Sequence, residues 1–176
     1  MNLDKYTELE LTRLLRNLAE DQSEELVNQS DELIKQYNRL PSQFEFEDQT
    51  KEHKKHLDKH FDRMLDSTQN YVRKIKVFYE DNTSAYDSVI HNNFYTFTID
   101  KFIDYAYEVS KFLEDRTYEL YSIGINQAKI DDFNSKLFDL RELNNTYLKK
   151  QQDYTAAKSN IINEIKKIII HIQENL

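Results

Sequence analysis

From residue 127 to the end of the chain, one seam runs in alternating steps of three and four. It comprises Ile130, Phe133, Leu137, Leu140, Asn144, Tyr147, Gln151, Tyr154, Lys158, Ile161, Ile165, Ile168 and Ile172. That spacing is the heptad signature of a long helix with one packing edge. Its polar members, Asn144, Gln151 and Lys158, share one heptad position, where a polar side chain fixes register at some cost in stability. Lining a polar cavity is the alternative use of the three. Upstream, Leu57, Phe61, Met64, Tyr71, Ile75 and Phe78 make the apolar stripe of a second long helix. A third stripe joins Phe102, Ala106, Val109, Phe112 and Leu113, and leaves Tyr105 and Tyr107 on its flank or pointing away.

Punctuation divides these patterns. Pro41 stops one helix, and Ser42 with Glu45 makes a capping box for the next. Asn82 to Ser84 is a polar break, after which Ser84 and Asp87 can restart a helix. Gly124 suits a left-handed C-terminal cap, and Asn126 an N-cap. The helices predicted are 3–39, 43–80, 84–122 and 127–174, the first three each roughly 55 Å long at the helical rise. Asp21 with Glu24, and Thr98 after a helix-poor run, mark places where the first and third could split. Matched lengths and short connections point to an all-α protein. We expect an elongated up-down-up-down four-helix bundle with a long C-terminal helix, a single domain over 1–176.

Composition sharpens this picture. One Gly and one Pro leave little material for hairpin turns, while 39% apolar and 12% aromatic residues can fill a core. Zero Cys excludes disulfide and thiolate chemistry and suits a reducing, cytoplasmic setting. No apolar run is long enough to span a bilayer. A net charge of −8 argues against nucleic acid as a partner. Residues 1–50 and 81–125 are acidic, whereas 51–80 and 126–176 are mildly basic, an alternation that suits neighbouring helices of the expected bundle. The stretches "IGINQAKIDDFNSKLFDL" and "YLKKQQDYTAAKSNIINEIKKI" resemble uncharacterised bacterial helical-bundle proteins, in which a Gly-led turn precedes a long final helix. That resemblance implies a helical bundle and no activity.

The segment "KEHKKHLDKH" raises metal binding, since His53, His56 and His60 crowd one helix. His53 and His60 fall inside the apolar stripe and His56 at its margin. Their span, about 10.5 Å along the axis, prevents one ion from taking all three. Partner motifs are absent: Glu52 precedes His53 where a zinc protease needs Glu after His, and neither Glu-x-x-His nor His-x-x-x-Glu occurs. No phosphate loop, nucleophile elbow or paired-carboxylate site can be read either. We therefore expect no cofactor, metal or catalytic residue, and a non-enzymatic interaction or scaffold protein acting through helix faces with a protein partner or as a homo-oligomer. Two other readings stand beside it. One is a metal-binding bundle using His53, His56 and His60, the other an acidic, phage-borne inhibitor of a basic partner. Candidate partner-binding residues are Tyr105, Tyr107 and Ile170. Ile170 lies opposite the face formed by Ile161, Ile162, Ile165, Ile168, Ile169, Ile172 and Leu176, and would mark a second contact face.

Overall fold

The computed structural model describes residues 3–87, 89–91 and 93–175, and among these every regular element is helical. Leu176, assigned above to the isoleucine face, lies outside the described residues. The elements are α1 (Glu8–Ala19), α2 (Glu24–Arg39), α3 (Gln43–Phe78), α4 (Ile99–Asp115), the single turn α5 (Thr117–Leu120) and α6 (Gln127–Glu174), with short 3-10 turns between some of them. No described helix is long and apolar enough to cross a membrane. The chain gathers into two compact units. One comprises the residues up to Gln49 together with those from Lys149 onward, and the other comprises Thr50–Leu148.

The first predicted helix is instead a hairpin, for reasons of capping. Thr7 Oγ1 accepts from the Glu10 backbone while the Thr7 backbone N–H donates to the Glu10 carboxylate at 2.7 Å, so α1 starts five residues later than expected. Ser23, rather than Asp21, caps α2 by accepting from the Leu26 backbone. Between them the chain turns at Glu20–Ser23 and lays α1 against α2. Leu11, Leu15, Ala19 and Ile34 of the hairpin then close on Ile165, Ile168, Ile169 and Ile172 of α6. The isoleucine-rich end of α6 is thus covered by a folded-back segment. Lys158 bonds Glu8 at 2.7 Å, Glu8 accepts from Tyr37 at 3.1 Å, and Tyr154 donates to the Pro41 carbonyl at 3.0 Å. Those contacts tie all three helices at one level. Burial first, and then the Glu8 carboxylate, raise the Tyr37 pKa.

In the other unit, residue pairing reports helix direction. Moving up α4 from Asp100 to Ser110 and Glu114, the partners on α6 fall from Asn144 to Asn134, so α4 and α6 are antiparallel. Along α3, His53 meets the Leu143 carbonyl and Tyr71 donates to that of Lys129, so α3 and α6 are antiparallel too. The α3 and α4 helices must then run parallel. Phe61 meeting Phe102 edge-on at 5.2 Å, and Tyr79 meeting Phe112 at 6.1 Å, agree with that. This unit therefore departs from the up-down-up-down order, which requires those two helices to oppose.

The cause is the connection. No α-helix restarts at Ser84; the described residues between Tyr79 and Thr98 instead run back along α3, with 3-10 turns at Thr83–Ala85 and Phe94–Thr96, before Thr98 caps α4 by accepting from Lys101. This returning segment places Val89 and Phe94 in the core, at 8% and 6% exposure. The α6 boundaries are as the sequence reading placed them. Gly124 occupies the left-handed region at φ 75°, and Asn126 Oδ1 accepts from the Lys129 backbone to start the helix.

Of the register residues, Asn144 is buried and donates to Asp100 at 2.6 Å, and Lys158 makes its ion pair with Glu8. Gln151 is exposed. The seam is tightly buried at Ile130–Leu140 and Ile165–Ile172, and looser at Tyr147, Gln151, Tyr154 and Lys158 between them.

Candidate functional site

The histidines occupy different environments. The His53 ring nitrogen Nε2 lies 3.0 Å from the Leu143 carbonyl, and the ring stacks on Tyr147 at 6.0 Å. It thereby serves the α3–α6 contact. His56 is exposed, with its ring edge-on to His60 at 4.6 Å. Burial, followed by the charges of His56, Arg63 and Lys59, lowers the His60 pKa below its ordinary 6.5, while Asp139 opposes. Two imidazoles are brought together, then, and the third is turned to a backbone carbonyl. Among the described residues no group of three or more His, Cys, Asp or Glu gathers where it could hold a metal ion.

Tyr105 needs correction. It does not flank the core but lies inside it, 3% exposed, because the returning segment puts a second cover on α4. Phe94 and Phe97 approach its ring at 5.2 and 5.9 Å, and His91 edge-on at 5.2 Å. Burial pushes its ionisation up to about 12. The nearby His91 backbone pulls the other way but lies outside hydrogen-bonding geometry, and the hydroxyl has no partner. A residue so enclosed cannot meet a partner unless the segment lifts.

Tyr107, two residues on, faces outward at 39% exposure. The Arg141 guanidinium sits over its ring, 5.8 Å from the centroid, and donates to its hydroxyl at 3.5 Å, the limit of a hydrogen bond. Phe138, one turn before Arg141 on α6, is 58% exposed. At about 100° per residue, Phe138 lies about 60° beyond Arg141, on the flank of α6 that turns toward α4. Tyr107, Arg141 and Phe138 thus form one outward edge of the α4–α6 pair. Of the exposed carboxylates, Asp104 on α4 and Glu142 on α6 lie close enough to act on the Arg141 guanidinium. Arg141 and Phe138 escape the sequence reading because neither sits on the heptad seam. The available signal was Phe138 itself, an aromatic directly after the seam residue Leu137 with no packing position left for it.

Ile170 is 44% exposed, while Ile165 and Ile169 are fully enclosed, so the isoleucine face and the isolated Ile170 separate as the wheel predicts. Nothing else apolar on α6 is exposed within a turn of Ile170. Comparisons with protein-family models, curated proteins and solved structures give no match to this chain.

Proposed function

We propose that the chain is a non-enzymatic interaction protein, which presents the Tyr107–Arg141–Phe138 edge of α4 and α6 to a basic protein partner. The supporting observation is the exposed Tyr107–Arg141 cation–π pair that joins α4 to α6, with the exposed Phe138 one turn before Arg141. Tyr and Arg are the side chains that most often carry binding energy at interfaces, and two packed helices present them at little entropic cost. The carboxylates of Asp104 and Glu142 beside Arg141 choose the partner's sign. Carboxylates at the margin steer a basic surface inward and repel an acidic one, whatever the anchors contribute at the centre. This reading joins the interaction protein and the acidic inhibitor in one surface.

Photo-crosslinking tests it. A benzoylphenylalanine placed at position 138 should trap one discrete protein rich in Lys and Arg. The same reagent at position 163, on another exposed part of α6, should not. Binding of that protein, once purified, should weaken with salt and with Tyr107→Ala or Arg141→Ala. The reading is overturned if position 138 traps nothing beyond position 163, if it traps a second copy of this chain, or if neither substitution changes binding.

A further inference from the structure

Two histidines of α3 stand apart from the packing that engages the third. His53 is committed to the α3–α6 contact, its Nε2 turned to the Leu143 carbonyl. His56 is exposed and His60 half-buried, and their rings meet with centres 4.6 Å apart at an interplanar angle of 85°. They lie four residues apart within the continuous helix Gln43–Phe78, so both side chains rise from one face, about 6 Å apart along the axis. That is the spacing by which a helix offers two imidazoles to a single metal ion.

An ion about 2.0–2.1 Å from a ring nitrogen lies about 3.2 Å from the ring centre. Centres 4.6 Å apart then subtend about 90° at the ion, the cis angle of square-planar and octahedral coordination and narrower than the tetrahedral one. The rings stand edge to face, so one has to turn before both nitrogens aim at that point, and the exposed His56 has room to do so. The charges acting on His60 are those of His56, Arg63 and Lys59 against that of Asp139. Such surroundings do not gather a cation by charge, which disfavours magnesium and calcium, since both rely on several oxygen ligands. A late transition ion, which prefers imidazole nitrogen, binds by coordination instead. Among the described residues no third His, Cys, Asp or Glu completes the set, so the remaining positions on the ion belong to water.

We infer that His56 and His60 form an open, two-nitrogen surface site for a divalent late transition ion, copper(II) ahead of nickel(II) and zinc(II). The order follows from the affinity of nitrogen ligands for these ions and from the angle of about 90°, which suits copper(II) better than tetrahedral zinc(II). The site is not the three-histidine arrangement considered from the sequence, because His53 takes no part in it. It is independent of the protein-binding edge proposed above.

Isothermal titration of the full chain, prepared without an affinity tag, with copper(II), zinc(II) and magnesium chlorides tests the inference. Copper(II) should bind one to one, about tenfold or more tighter than zinc(II), and magnesium should show no saturable binding. His56→Ala and His60→Ala, each with its helicity verified by circular dichroism, should each weaken copper(II) by about tenfold or more, whereas His171→Ala, at an exposed histidine of α6, should not. Electron paramagnetic resonance of the one-to-one copper complex should show two coupled nitrogens in the native chain and one in His56→Ala. The inference is overturned if copper(II) shows no one-to-one binding, if zinc(II) binds as tightly, or if His56→Ala and His60→Ala leave the affinity unchanged. Equal weakening by His171→Ala, or a resonance spectrum that His56→Ala does not alter, would equally overturn it.

Discussion

Replacing Ile165 with Ala tests the most consequential feature of the N-terminal hairpin, its dependence on a few isoleucines of α6. Ile165 is 0% exposed and belongs to the cluster of Leu11, Leu15 and Ile34. Truncating an enclosed Ile to Ala costs about 2–5 kcal/mol, the spread reflecting how far the neighbours can collapse into the space. A core of this size supplies only roughly 3–5 kcal/mol in total. The variant should therefore leave α1 and α2 close to the midpoint of local unfolding. Ile170→Ala, at a 44% exposed position, should cost about 0.5 kcal/mol or less. Hydrogen exchange read by mass spectrometry separates the two. With Ile165→Ala, peptides across 11–34 and 161–172 should lose protection roughly 30-fold or more, while peptides across 102–113 keep theirs. Equal losses in 102–113 would show that the two units open as one, and equal behaviour of the two variants would refute the assigned packing.

Four further outcomes are expected. Tyr105→Phe should leave the melting temperature unchanged or raise it, since the deleted hydroxyl is buried without a partner; a fall equivalent to more than about 1 kcal/mol would mean it has one. Asn144→Asp should destabilise at neutral pH by setting a second carboxylate against Asp100, with stability recovering as the pH is lowered and the repulsion is relieved, measured by thermal unfolding across pH. Glu10 and Glu45 have pKa values lowered from the ordinary 4.5, first by hydrogen bonds from the Thr7 and Ser42 backbones. A depressed folded-state pKa gives stability that is present above 4.5 and lost as the pH falls through the lower folded value, so Glu10→Gln with Glu45→Gln should flatten that acid limb of the melting curve. Gly124→Ala should destabilise by about 1 kcal/mol in chemical denaturation, because its φ of 75° strains any residue with a Cβ.

The ends of α3 and α6 are legible in the sequence because their signals are chemical and local. Pro41 cannot continue a helix, Ser42 and Glu45 cap each other, and Gly124 is the single residue suited to its backbone. The reversal between α3 and α4 is not legible for the opposite reason. Residues 79–98 contain no Gly or Pro, and the 3-10 turns Thr83–Ala85 and Phe94–Thr96 each follow an Asn, a residue that also occurs at helix starts. With the connection unseen, a short link implies that α3 and α4 oppose each other, and the wheel sets Tyr105 on the flank of the core without the segment that buries it. The Tyr107 edge was half visible. An outward tyrosine follows from the wheel, but Arg141 and Phe138 join it only once α4 and α6 are known to be antiparallel in this register. Periodicity assigns faces to each helix, and it carries no information on which neighbour lies opposite.

The hairpin and the end of α6 meet across most of the chain: Tyr154 reaches Pro41 over 113 positions, and Lys166 reaches Asp4 over 162. During synthesis, at about 5–20 residues per second, the apolar faces of α1 and α2 emerge roughly 8–30 s before the isoleucines that cover them. Residues 50–148 meanwhile complete their contacts over much shorter separations, such as the 44 positions between Asp100 and Asn144. The helices made first are thus enclosed last, and in that interval Leu11, Leu15 and Ile34 are surfaces for chaperones or for a neighbouring nascent chain.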